Sequence, residues 1–116
     1  MKIKLMGETW TVTMTVPEEL LEFYETELNL KEIDGFHIQG HRIIFVNPDF
    51  GDCQHRRYVL MHEIIHALSN MTGLGLSEEQ VDGLAFGFVR LIQDNPHLID
   101  YLLGGAGDGG EYGDHA

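Results

Sequence analysis

Tyr58-Val59-Leu60-Met61-His62-Glu63-Ile64-Ile65-His66-Ala67-Leu68 sets an H-E-x-x-H inside an apolar run. Positions four apart on an α-helix stand one above the other, so His62 and His66 project from one face about one turn apart. That spacing lets two imidazoles bind one Zn²⁺ and leaves Glu63 beside the metal to act on a bound water. Val59, Leu60, Ile64, Ile65, Ala67 and Leu68 make the helix apolar nearly all round, and burial is expected. A buried Glu and two buried His are costly without partners, and a metal supplies one. The plain alternative is a helix whose histidines only make hydrogen bonds.

Working outward, the motif helix is expected over 55–71, stopped by Thr72-Gly73-Leu74-Gly75. Upstream, Trp10, Val12 and Met14 alternate with Thr11, Thr13 and Thr15, which predicts strands over 3–5 and 9–16 around a Gly7 turn. Pro17, with Glu18 and Glu19 in the first turn, predicts a helix to about Asn29. Asp34-Gly35 and Gly40 bracket a hairpin of 36–39 and 42–46, and Ile43-Ile44-Phe45-Val46 is its central strand. Downstream, Ser77 and Gln80 form a capping-box pattern that opens a helix whose apolar positions are Val81, Leu84, Ala85, Phe88, Leu91 and Ile92. Asn95-Pro96 predicts another start, with Asn95 as N-cap of a short helix to Leu103. The expected architecture is α+β: a small antiparallel sheet packed on the motif helix and the helix after it, forming one domain over 1–103. Residues 104–116, rich in Gly and Asp, cannot bury enough to offset ordering entropy and are expected to be a disordered tail.

Two histidines do not complete a catalytic zinc site, which usually has three protein ligands. No further histidine follows His66 at short spacing, so the candidates are Glu78, Glu79 and Asp82 on the next helix. At 100° per residue, with Val81, Ala85, Phe88 and Ile92 as the buried face, Glu78 sits at the edge of that face and Glu79 nearly opposite it. Asp82 shares the flank of Glu78. The expected metal set is therefore His62, His66 and Glu78, with Glu79 as the alternative third ligand and Asp82 as a carboxylate that orients a ligand histidine. In that site Glu63 is the general base. Tyr58, His55, His97 and Tyr101 are candidate donors to a developing oxyanion, among which the sequence does not choose. His37, His41 and His97 fall outside any ligand spacing and are read as ordinary polar residues.

His62-Glu63-Ile64-Ile65-His66-Ala67-Leu68, a Gly-rich break, then Glu78-x-x-x-Asp82-x-Leu84-Ala85 resembles the minimal zinc-peptidase family around the phage-related ImmA/IrrE metallopeptidases. The compact phage and prophage members resemble it most, including the Asp94-Asn95-Pro96 at the end of the second helix. The resemblance implies a zincin-like fold and a gluzincin-like site in which His62, His66 and Glu78 bind zinc and Glu63 activates water. It implies a metalloendopeptidase acting on a protein or peptide substrate. The chain differs from larger members in a short spacer, twelve residues from His66 to Glu78, and in carrying Gln80-Val81-Asp82-Gly83-Leu84-Ala85 where the usual tract is E-A-N-x-F-A.

Composition narrows the alternatives. One hydrophobic core is expected of 116 residues that are 43% apolar. A net charge of −12 argues against direct nucleic-acid binding, which needs a basic surface. No apolar run approaches a membrane span, and the start turns polar too quickly for a signal peptide. The single cysteine, Cys53, makes a reducing cytoplasm the default expectation. No exposed apolar stripe is expected, so the default is a monomer. The rival functions are a non-catalytic zinc-stabilised interaction domain, acting on a phage or host regulator, and a metal-free acidic module that recruits a basic partner.

Overall fold

The alternation of Trp10 and Val12 with threonines becomes a strand whose apolar side is buried, with Trp10 fully so. The computed structural model describes residues 1–18, 21 and 33–104. The expected helix from Pro17 and the expected tail therefore lie almost wholly outside the described residues. Strand β1 (Lys2–Leu5) pairs antiparallel with β2 (Glu8–Thr13) through a two-residue turn. Met6 and Gly7 both have positive φ there, as a right-twisted hairpin requires. β2 ends at Thr13, three residues earlier than expected. The Thr13 hydroxyl accepts from the Thr15 backbone N–H (3.1 Å), a local turn that competes with the ladder. Met14 is consequently exposed.

Strand β3 (Gly35–Ile38) and strand β4 (Ile43–Val46) form the expected hairpin, joined by a 3₁₀ turn over Gln39–His41. The sheet order is β1-β2-β4-β3, and β4 is central as its apolar run predicts. The expectation of an antiparallel sheet is corrected, because β2 and β4 pair in parallel, from Thr11↔Ile43 to Thr13↔Phe45. The β3–β4 hairpin sets β4 between β3 and β2, and because β3 runs opposite to β2, its antiparallel partner β4 runs parallel to β2.

Helix α1 (Cys53–Thr72) carries the motif. It starts two residues before the expected point because the Asp52 side chain accepts from the His55 N–H (2.8 Å) and caps the helix. It stops at Gly73, whose φ of 71° is left-handed. Its apolar surround has two uses. Val59 and Ala67, with Leu60, Ile64 and Leu68, pack on Trp10, Val12, Ile44 and Val46 of the sheet. Ile65 and Met61 pack on Val81 and Ala85 of helix α2 (Glu78–Asp94). Each fully buried aliphatic side chain contributes about 1.5–3 kcal/mol, so α1 is anchored on both sides.

α2 opens with the expected capping box, both Ser77–Gln80 bonds being present. Its buried positions are Val81, Ala85 and Val89, whereas Phe88 and Ile92, expected in the buried face, are exposed together with Leu84 and Leu91. The expectation of no exposed apolar stripe is thus corrected. α2 packs chiefly on α1, and that contact covers a single i, i+4, i+8 strip. Helix α3 (Pro96–Leu102) has Pro96 in its first turn as expected. Asn95 does not cap it by side chain: its amide donates to the Leu91 carbonyl (2.9 Å) and closes α2 instead. Among the described residues no helix is long and apolar enough to cross a membrane.

Gly35 brings β3 against α1. A Cβ there would lie 2.6 Å from Val59 Cγ1 and 2.8 Å from the Phe45 carbonyl oxygen. Gly35→Ala is expected to destabilise the domain by about 1–3 kcal/mol through overpacking. Thermal denaturation checks this, and an unchanged melting temperature would refute the close strand–helix contact.

Candidate metal centre

α1 and α2 form an antiparallel pair joined by a short connection. In such a pair the later turn of one helix faces the earlier turn of the other. His62 and His66 on α1 thereby meet Asp82 and Glu78 on α2, each pair spaced by one helical turn. The buried Ser69 fixes the return: its hydroxyl accepts from the Leu76 N–H (2.9 Å) and its carbonyl from Gly73 and Leu74. The short spacer after His66 is what sets Glu78 over the histidines.

The donor atoms converge. His66 Nε2 lies 2.6 Å from Glu78 Oε1, and His62 Nε2 lies 3.3 Å from Glu78 Oε2. One atom from each of His62, His66 and Glu78 falls within 4.8 Å of the others, a group that could hold a metal ion. On the far side of the His62 ring, Nδ1 lies 2.7 Å from Asp82 Oδ1. A carboxylate beside Nδ1 favours the proton on that nitrogen, which leaves the lone pair of Nε2 for the cluster, the way an outer carboxylate prepares an imidazole for a metal. Two imidazoles and one carboxylate, the first backed by a second carboxylate, form a donor set that fits a divalent cation of the zinc type.

Glu63 is buried while Glu78 and Asp82 are largely exposed. Its Oε2 lies 3.9 Å from His62 Nε2. Two hollows meet here, and His62 and Glu63 line both. One, of about 280 Å³, is walled by Tyr58, Val59, Ala85 and Phe86, with Asp34 and His55 also lining it. The other, of about 450 Å³, lies between β3 and α1 and is bounded by Phe36, His37, His66 and Glu78.

Of the residues singled out from sequence, His62, Glu63, His66, Glu78 and Asp82 are brought together. Glu79 is exposed, one residue past the acid that reaches both imidazoles. Tyr58 lines the first hollow, its ring stacked on Phe86 (centroids 4.8 Å) and its hydroxyl accepting from Gln54 Nε2. His55 bonds Asp34 Oδ2 at 3.2 Å. His97 and Tyr101, on α3, line neither hollow.

The reading of His37 as an ordinary polar residue is corrected. His37 Nδ1 lies 2.9 Å from Glu63 Oε1, and its ring stacks on that of His66 at 5.5 Å. Residues 35, 37 and 39 advance about 6.7 Å per pair along extended chain, and residues 59, 63 and 67 advance about 6 Å per four along a helix. The two steps nearly match. Gly35 therefore meets Val59, His37 meets Glu63, and Gln39 meets the Ala67 carbonyl. That G-x-H-x-Q beside V-x-x-x-E-x-x-x-A was the available signal, readable only once β3 was known to lie along α1.

No family model, curated protein or solved structure matches this chain.

Proposed function

We propose that this chain is a zinc-dependent peptidase with a zincin-like site, in which His62, His66 and Glu78 hold the metal and Glu63 is the general base. One observation carries the reading: the convergence of those three donor sets within 4.8 Å, beside a buried carboxylate that belongs to the same helix face. Zinc, when bound, supplies the positive charge that acidifies water and polarises a carbonyl oxygen. Asp82 keeps the His62 proton on Nδ1 and so keeps Nε2 available. Glu63 accepts the proton of the attacking water and returns it to the leaving amine. Its burial removes competing solvent from the carboxylate. We place the substrate as an extended peptide along β3, the end strand of the sheet that borders the second hollow.

The test is cleavage of a degenerate set of internally quenched peptides by the zinc-loaded chain. Turnover is expected with zinc, lost with chelator and restored by added zinc. A chain that holds zinc and cleaves none of them would instead be the zinc-stabilised interaction domain.

A further inference from the structure

We infer that His37 is a positioning residue for Glu63, locked by Asn70 in the tautomer that donates from Nδ1, so that one carboxylate oxygen is held and the other is left to act as base. The inference rests on the peptidase reading of the same site.

The proton assignment follows from groups that have only one hydrogen-bonding sense. The Ala67 carbonyl only accepts, so the Gln39 amide turns its Nε2 towards it, at 3.5 Å. Gln39 Oε1 is thereby left to accept from Asn70 Nδ2 (3.2 Å), which fixes Asn70 with its NH₂ inward. The same NH₂ lies 3.3 Å from His37 Nε2 and has a second hydrogen to give. Nε2 must accept it, so the imidazole proton sits on Nδ1 and points at Glu63 Oε1, 2.9 Å away. A carbonyl on α1 thus sets, through three side chains, the sense of a bond back to α1.

The consequence is local to Glu63. With Oε1 held, the carboxylate cannot rotate freely, and Oε2 is the oxygen left towards His62 Nε2 (3.9 Å). The stacked His66 ring keeps the His37 ring from turning. A general base oriented by a third group is the arrangement that makes proton transfer efficient.

Two measurements on the zinc-loaded full chain test this. Imidazole ¹H–¹⁵N spectra are expected to show the His37 proton on Nδ1, and a proton on Nε2 overturns the inference. On the same quenched peptides, His37→Ala is expected to lower kcat by about 10- to 100-fold while KM changes by less than about threefold, as a misplaced base does. Its zinc content should match wild type. His37→Asn, whose side-chain NH₂ can occupy the place of Nδ1, should recover most of the loss. Unchanged kcat in His37→Ala, or a loss of kcat that tracks a loss of zinc, overturns the positioning role. A wild type that holds zinc and cleaves nothing overturns the peptidase reading itself and takes the role with it. That outcome is distinguishable because the imidazole signal is read on the resting protein.

Discussion

Glu78→Ala is expected to abolish stoichiometric zinc retention, and Glu79→Ala to leave it intact, in native mass spectra of untagged protein. The two acids are adjacent on α2 and share the first-turn position that favours negative charge. Only Glu78 reaches both imidazole Nε2 atoms, at 2.6 and 3.3 Å. A dipole role alone would make the two substitutions equivalent, so the contrast isolates ligation. Loss of an outer carboxylate such as Asp82 costs about 10- to 100-fold in metal affinity, and loss of a direct ligand should exceed that. Because a cation that binds only the folded chain stabilises it by mass action, zinc should raise the melting temperature of wild type and not of Glu78→Ala. Zinc retained by Glu78→Ala at wild-type stoichiometry would remove Glu78 from the site.

Much of this arrangement is local and therefore legible in sequence. The capping box Ser77–Gln80, the Gly73 stop and the i, i+4 pair His62/His66 depend on neighbours within a few residues. Glu78 was reachable because the helical period puts it at the edge of the face that Val81 and Ala85 bury. The same periodicity misplaced Phe88 and Ile92, since apolar spacing shows which residues share a face and not how wide a strip the partner covers. The parallel β2–β4 pair was illegible for a related reason: alternation marks the buried side of a strand and carries no sign of its neighbour's direction. His37 escaped because its partner lies 26 positions away, and its meaning depends on strand and helix steps running in register.

Glu63→Gln is expected to keep zinc and fold while lowering peptide hydrolysis by about 10²- to 10⁴-fold, the range attributable to a general base. The substitution keeps the shape of a buried side chain and removes a carboxylate whose burial is costly, so thermal stability should hold. Its chemical effect is set by His37. If His37 can only donate from Nδ1, the Gln amide must present its carbonyl oxygen there, and its NH₂ then occupies the place of Oε2. A donor thus replaces the carboxylate oxygen at the position where the proposed mechanism takes a proton. His37→Ala should accordingly add little to the loss in Glu63→Gln, because the group that His37 orients is already inert. Turnover and zinc content of the single and double variants check this, and hydrolysis surviving in Glu63→Gln at wild-type rate would exclude Glu63 as the base.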